Sequence, residues 1–430
     1  MMRNFLFKFI LIAQVLVYVN APVAAQTLSD QDKIALLESM MKAISNQYVL
    51  KEKVDEINAH IKSLLNDPEI KKIKNPNRLA TYLSEQITQF DGHFRVSWRK
   101  PGKAEQPEPG ESWGERAVRN NHGFKQLHHL TGNIAYLDLR FFDGSDAAKK
   151  RADSVMSWMA DSTAVIIDLR ENGGGSPGMV QYICSYFFSP ETKVHLNSIY
   201  NRPSDSTTEF WTLQDLPGKF MPEVPLYVLT SARTASAAEE FAYNMKTRKR
   251  ATLIGEVTAG GANPGGDVDL VSGFSMFVST GMAINPVTQK NWEGTGVQPD
   301  KATSAEDALD TAYEMALLAV QEISDNRWQQ QEINWKLEKM RSQSAVVDQP
   351  EQYAHQFGRI QIVLKEGDLY YKRGRRPAKK MHPINTDYFA LKDSDGVRLR
   401  FIRNQADQAI HSIAIQYVDG REQRYPIDQE

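Results

Sequence analysis

The chain has 430 residues, of which 41% are hydrophobic and 24% charged, and its formal net charge at pH 7 is −2. This balance is typical of a folded protein with a large core, so it excludes a disordered or fibrous chain. The weak acidity gives no argument for a nucleic-acid partner.

The N-terminus predicts export. Residues 1–25 carry two cations, Arg3 and Lys8, followed by an apolar run and by small residues that end at Ala25. This is the pattern of a secretory signal peptide cleaved after Ala25, and the apolar run is short for the alternative, a membrane anchor, which needs ~20 residues. Cleavage removes two cations and no anion, so the net charge falls from −2 to −4. We expect a periplasmic or secreted protein, and nothing in the sequence argues for peripheral membrane contact.

Cys184 is the only cysteine, so an exported form of this chain has no intramolecular disulfide. It lies among aromatic residues in VQYICSYFF, which favours buried packing over a reactive thiol. Stability is therefore expected to come from burial of the core.

Residues 26–98 predict an N-terminal helical domain. Apolar residues recur at helical spacing in three segments: LSDQDKIALLESMMKAISNQYVL, VDEINAHIKSLLND and NPNRLATYLSEQITQF. The polar residues 99–122, rich in proline and glycine, predict a linker.

Residues 123–305 alternate between strand and helix patterns. The strand patterns are NIAYLDLRFF, TAVIIDL, VPLYVLT and RATLIGE, and helical patterns separate most of them. This order predicts an α/β core with a mostly parallel sheet and a site at the carboxyl ends of its strands.

Residues 306–345 predict a helical connector, and the short alternating runs of residues 346–430 predict a small β-rich domain built from hairpins. The basic run YYKRGRRPAKK, residues 370–380, fits a polyanion-binding surface, but it is more simply a solvated hairpin turn.

A glycine-rich loop, IIDLRENGGGSPG, follows one predicted strand. Gly173, Gly174 and Gly175 permit backbone conformations in which N–H groups face an incoming oxygen, as in an oxyanion hole or a phosphate cradle. A tight turn explains the glycines equally well. The loop lacks the Lys-Ser/Thr ending of a phosphate-binding loop.

A second loop, TSARTASAAEEFAYN, follows the strand VPLYVLT. Ser236 stands where the next helix begins, and Glu239 completes the pattern of a capping box. The same placement, with the positive helix end behind it, favours an exposed nucleophile. Thr234 and Ala238 occupy the glycine positions of a G-x-S-x-G elbow, so the pattern alone favours capping over catalysis.

A nucleophilic serine needs a base. The nine histidines show no metal-ligand spacing, so we expect no metal site. His93 in FDGHFRVSW follows a turn-forming Asp-Gly pair at the end of the helical domain, and His128-His129 is the competing pair. The local context of each histidine favours a structural role.

Five motifs in order carry a family resemblance. They are DGHFRV, GNIAYLDLR, IIDLRENGGG, TSARTASAAEEFAYNMKTRKRATLIGEVTAGGANPGG and NWEGTGVQPD. The sequence from about Leu28 to Leu318 resembles the tail-specific (C-terminal processing) serine peptidases, in the branch similar to the interphotoreceptor retinoid-binding protein and the tricorn protease core. The resemblance implies a crotonase/Clp-protease-like α/β core.

The resemblance also implies roles for single residues. Ser236 corresponds to the nucleophile, whereas Gly261 stands where the bacterial tail-processing branch has a lysine base, so a Ser-Lys dyad is unsupported. The tricorn-like arrangement implies His93 as base and Glu293 in NWEG as its carboxylate partner. The oxyanion hole would then comprise the N–H of Ala237 with that of Gly174 or Gly175, and no cofactor is needed.

The implied substrate is a peptide or protein. Too few residues separate Val96 from Gly123 for the peptide-binding PDZ domain that is usual in tail-specific proteases. The alternative function is a carrier or binding protein for apolar ligands, since the retinoid-binding protein uses the same architecture. The Ser236, His93 and Glu293 set favours the hydrolase, because a carrier does not require it.

Overall fold

The computed structural model describes residues 27–100, 111–342 and 347–428. The predicted signal peptide, residues 1–25, lies outside this part of the chain. The contacts divide the chain into two compact units. The first comprises the described residues of Met1–Ser45, Glu52–Gly102 and Asp267–Phe277, and the second those of Asn46–Lys51, Lys103–Gly266 and Val278–Glu430.

The helices begin and end as follows: α1 Asp30–Gln47, α2 Val54–Ser63, α3 Pro68–Lys72, α4 Pro76–Ile87, α5 Trp113–Arg119, α6 Asp146–Met159, α7 Pro177–Ser185, α8 Ala237–Thr247, α9 Ala308–Ile323 and α10 Arg327–Arg341. The strands up to the end of the central sheet are β1 Arg95–Trp98, β2 Phe124–Leu130, β3 Ile134–Leu139, β4 Ala164–Asp168, β5 His195–Asn201, β6 Ser206–Trp211, β7 Leu226–Thr230, β8 Thr252–Gly255, β9 Gly265–Asp269, β10 Phe274–Ser279, β11 Gly281–Ile284 and β12 Lys301–Ala302.

The first unit confirms the three predicted helical segments as α1, α2 and α4. Each buries one apolar stripe, represented by Met40, Ile57 and Leu83, which are fully buried. Helix α4 begins with a proline and is capped by Asn75, whose side chain accepts the Arg78 N–H. Strand β1 pairs antiparallel with residues 274–277.

The second unit is built on a six-stranded sheet in the order β12-β8-β7-β4-β3-β2. Strands β3, β4, β7, β8 and β12 pair in parallel, and only β2 is antiparallel to its neighbour. The predicted mostly parallel sheet is confirmed. Since parallel strands end at the same edge, the loops after β3, β4 and β7 lie side by side.

Helices cover both faces of this sheet, which explains why its strands are apolar without alternation. Helices α6, α7 and α8 pack on one face through residues such as Met156, Ile183 and Phe241. Helices α9 and α10, the predicted connector, pack on the other through Ala316 and Ile333. Within the described residues, no helix is long and apolar enough to cross a membrane.

Cys184 on α7 is fully buried, as predicted. Burial raises the pKa of its thiol well above the ordinary value, and the nearby Glu240 carboxyl acts in the same direction. A thiol held in the protonated form is a poor nucleophile.

The C-terminal domain is a sheet of eight antiparallel strands, joined in chain order as predicted from the hairpin pattern. They are β13 Gln356–Phe357, β14 Ile360–Lys365, β15 Asp368–Arg373, β16 Lys379–Asn385, β17 Tyr388–Leu391, β18 Ser394–Arg403, β19 Ile410–Tyr417 and β20 Glu422–Pro426. A hydrogen bond from the Asp428 N–H to the Gln356 carbonyl, 2.9 Å, joins the two ends of the sheet. The basic run at residues 370–380 is the β15–β16 hairpin.

Residues 99–122, predicted as a linker, contain helix α5. Ser112 and Glu115 form a complete capping box at its start, with each side chain bonded to the other residue's N–H. The proline and glycine content of the segment indicated a linker and outweighed this S-x-x-E pattern, which is typical of a helix start.

Helix α8 contains a buried carboxyl, Glu240, which is only 4% exposed. Burial raises its pKa from 4.5 to about 8, and the neighbouring Asn197 side chain opposes this shift. The folded chain therefore holds this proton more tightly than the unfolded chain does.

The stability that Glu240 contributes is therefore fully present below about pH 4.5 and is lost as the pH rises to about 8. We expect the free energy of unfolding of the wild type to fall relative to that of Glu240→Gln by up to about 1.4 kcal/mol per pH unit in this window. Chemical denaturation of both proteins across the window measures the difference. A difference that does not change with pH would contradict a protonated Glu240.

Candidate active site

Three loops meet at the carboxyl edge of the central sheet. They follow β3, β4 and β7, which are neighbours in the sheet. The Phe142 N–H donates to the Gly174 carbonyl over 2.8 Å, and the Ala235 N–H donates to the Asn172 carbonyl over 3.0 Å. The three loops are thus joined by backbone hydrogen bonds.

Ser236 has an unusual backbone conformation, with φ 55° and ψ −124°. Holding a non-glycine residue in such a region costs about 1–3 kcal/mol and persists only where the surroundings enforce it. The side chain is exposed, although the helix that follows it is largely buried. A strained turn that presents a serine between strand and helix is the geometry of a nucleophile elbow, reached here without the G-x-S-x-G glycines.

The capping interpretation of Ser236 holds for its backbone only. The Ser236 N–H donates to Glu239 Oε2 over 2.8 Å. The Glu239 N–H lies near the serine side chain, as in a capping box, but Ser236 makes no side-chain cap hydrogen bond to the helix. Within the described part of the chain, the hydroxyl is therefore not committed to capping α8.

Glu239 is fully buried and its carboxylate accepts four hydrogen bonds. Oε2 accepts from the N–H groups of Ser236 and Gly261, at 2.8 and 2.9 Å. Oε1 accepts from the Thr258 hydroxyl at 2.5 Å and the Gly260 N–H at 2.6 Å. One carboxylate thus joins the serine to the loop at residues 258–261.

The Glu293 carboxylate binds the next two residues of that loop. Its Oε2 accepts from the N–H groups of Ala262 and Asn263, at 2.7 and 2.9 Å. The Gly294 N–H also donates to the Gly260 carbonyl over 2.8 Å. Ser236 and Glu293 are therefore connected through one loop, residues 258–263, within the second unit.

The glycine loop lies against Ser236. A Cβ atom on Gly174 would come within 2.8 Å of the Ser236 Cβ and 3.0 Å of the Ala237 nitrogen. Gly174 also has φ 109°, which disfavours any side chain. No residue larger than glycine fits between the two loops.

The N–H groups of Gly174 and Gly175 differ in direction. The Gly174 N–H donates to Asn172 Oδ1 over 2.9 Å. Gly175 forms a parallel bridge with Phe142, in which the flanking residues make the hydrogen bonds. In a bridge of this kind the middle residue does not donate its N–H to its partner, so Phe142 does not accept the Gly175 N–H.

His93 belongs to the first unit, between α4 and β1. Its Nδ1 lies 3.0 Å from Asp91 Oδ1, and its backbone N–H donates to the same oxygen over 2.9 Å. The His93 side chain is 29% exposed and that of Asp91 is buried. A carboxylate at Nδ1 favours the tautomer in which Nε2 carries the lone pair.

The competing histidines are structural. His128 stacks on Tyr136, and the rings of His129 and Trp158 stack with centroids 4.1 Å apart. His129 pairs with Ala135 near the amino end of β3, whereas the loops around Ser236 follow the carboxyl ends of the strands.

Sequence reasoning missed three contributors to this geometry. Glu239 was interpreted only as half of a capping box, and Asp91 only as a turn residue. Asn172 was not considered, although an asparagine two residues before a glycine is a signal for a side-chain turn onto that glycine's N–H.

Comparison with known proteins identifies the α/β part. Residues 133–303 match the model of peptidase family S41, and this span includes Ser236, the glycine loop and Glu293.

Similar solved structures include a Parabacteroides merdae protein described as a peptidase, with 18% identity, a TM-score of 0.49, and coverage of 67% of this chain and 97% of that one. The photosystem II D1 C-terminal processing protease has 16% identity, a TM-score of 0.42, and coverage of 65% and 94%. The tricorn protease has 17% identity, a TM-score of 0.28, and coverage of 47% and 18%.

The assignment rests on the family match. Together with the mixed α/β fold, it shows that the chain contains, at residues 133–303, a domain of peptidase family S41, a family of serine peptidases.

Proposed function

We propose that this chain is an exported serine-type endopeptidase that hydrolyses peptide bonds through Ser236, His93 and Glu293. The observation that carries the proposal is the exposed Ser236 hydroxyl, held in a strained conformation at the start of a buried helix and directly against the glycine loop. A serine with only a capping role needs neither feature.

Ser236 Oγ attacks the carbonyl carbon of the substrate, and His93 accepts the hydroxyl proton and returns it to the leaving amine. The assignment of His93 is supported by the motif DGHF and by the Asp91 carboxylate at Nδ1, which leaves Nε2 as the basic nitrogen. Glu293, assigned from the motif NWEG, stabilises the imidazolium.

The oxyanion is bound by backbone N–H groups. Ala237 is the first residue of α8, so its N–H has no acceptor within the helix and lies at the positive end of the helix dipole. We infer that Gly175 supplies the second donor, because the Gly174 N–H is occupied by Asn172 Oδ1. Losing one such donor typically costs about 2.7–4 kcal/mol of transition-state stabilisation.

The proposed substrate is a peptide or protein segment that is bound without a PDZ domain. The segment between β1 and α5, residues 99–112, is too short for a PDZ domain, which supports this part of the proposal. Export is supported by the signal-peptide pattern of residues 1–25.

Hydrolysis of a mixture of fluorogenic peptides tests the proposed activity. We expect Ser236→Ala and His93→Gln to lower kcat by roughly 10⁴-fold or more, and Glu293→Gln by about 10²-fold to 10⁴-fold, since the nucleophile and base act as a unit. The carrier function would instead be supported if the wild type cleaves no peptide but binds apolar ligands, and if Ser236→Ala binds those ligands with the same affinity.

Two neighbouring glycines provide a matched test of the glycine loop. Gly174→Ala places a methyl group 2.8 Å from the Ser236 Cβ, whereas a Cβ on Gly173 meets no atom within 4 Å. We expect Gly174→Ala to lower kcat by roughly 100-fold or more, because it displaces the serine from the oxyanion donors.

Gly173→Ala is the control and is expected to retain kcat within about threefold, since a substitution in open space changes little. Equal activity of the two variants, measured on folded proteins of similar Tm, would contradict the close packing of the glycine loop against the nucleophile.

A further inference from the structure

The Glu239 carboxylate connects Ser236, at the start of α8, with the loop at residues 258–261. On one side it binds the N–H of Ser236, and on the other it binds three donors of the loop at residues 258–261. In the proposed reaction Glu239 has no role beyond the start of α8.

We propose that Glu239 is a positioning residue that fixes the conformation of Ser236 relative to the loop carrying Glu293. This inference rests on the proposed function and adds a residue to the same site. The Glu239 side chain is fully buried and binds the serine through the Ser236 backbone N–H, so it acts on the nucleophile through the backbone.

The backbone of Ser236 is strained. A φ of 55° at Ser236 is maintained only if something opposes relaxation to an ordinary conformation. The hydrogen bond from the Ser236 N–H to Glu239 Oε2 fixes the direction of that peptide group. Hydrogen bonds to an ionised acceptor are about twice as strong as neutral ones, so a carboxylate suits this task better than an amide.

Glu239 and Glu293 both bind the loop at residues 258–263. The two carboxylates bind consecutive backbone groups, Glu239 at Gly260 and Gly261, and Glu293 at Ala262 and Asn263. A shift of Glu239 is therefore transmitted through four successive peptide units to Glu293. The Thr258 hydroxyl reinforces the loop, since it donates to Glu239 and accepts the Val297 N–H over 2.7 Å.

The test compares Glu239→Gln with Glu240→Gln. Both replace a buried glutamate on the same helix with its amide. The Glu240 N–H donates to the Ser236 carbonyl over 3.0 Å, a backbone contact that the substitution leaves in place. Within the described residues the Glu240 side chain makes no hydrogen bond to Ser236 or to residues 258–261, so Glu240→Gln serves as the control. We expect Glu239→Gln to react with a fluorophosphonate roughly 100-fold more slowly than the wild type, since a shift of about 1 Å in the nucleophile has that effect. Glu240→Gln is expected to react within about threefold of the wild type.

Steady-state kinetics should show the loss for Glu239→Gln in kcat and not in KM, because Glu239 acts on the nucleophile through the backbone. Hydrogen exchange supplies a readout that does not depend on activity. Peptides that cover residues 236–241 and 258–263 should exchange faster in Glu239→Gln than in Glu240→Gln, because the amides lose their carboxylate acceptor.

The two measurements separate the possible failures. A wild type that does not react with the fluorophosphonate contradicts the proposed function, and the exchange comparison alone then decides the role of Glu239. A reactive wild type with an equally reactive Glu239→Gln overturns the positioning role, as does unchanged protection of the 258–263 loop.

Discussion

Ser236 is held in a backbone conformation that residues with side chains avoid, and the rest of the site depends on what maintains it. Three loops surround this serine, and backbone hydrogen bonds join them. The Glu239 carboxylate accepts the Ser236 N–H, and Gly174 of the glycine loop packs against the Ser236 Cβ. With its backbone fixed by these contacts, the hydroxyl is not needed as a helix cap.

The central sheet supplies the stability that offsets the strain at Ser236. Strands β3, β4 and β7 are buried on both faces by α6–α8 and by α9–α10, so the edge from which the loops leave is rigid. Burial of apolar surface on both faces offsets the cost of the strained serine and of two buried carboxyl groups on α8. Those two carboxyls differ in their surroundings: Glu239 has four donors, whereas burial keeps Glu240 protonated up to about pH 8.

Local patterns in the sequence predicted the parallel sheet, the flanking helices, the hairpins of the C-terminal domain and the start of α8, because each depends on residue spacing within one segment. Helix α5 was missed since the composition of residues 99–122 outweighed a four-residue capping signal. The pairing of Arg95 with Phe277 could not be predicted, because it joins residues far apart in the chain. For the same reason the contacts of Glu239 with residues 258–261 could not be predicted, although its position three residues after Ser236 is visible in the sequence. The sequence also could not show that the Gly174 N–H, unlike that of Gly175, binds Asn172.

We propose that Ser236 Oγ is an activated nucleophile placed beside backbone oxyanion donors. A crystal structure of the wild-type protein after reaction with a fluorophosphonate tests this proposal. We predict a covalent bond from Ser236 Oγ to phosphorus, with the phosphonyl oxygen about 2.7–3.1 Å from the nitrogens of Ala237 and Gly175. Phosphonylation of a different residue, or an adduct whose oxygen is bound by neither N–H, would contradict the account.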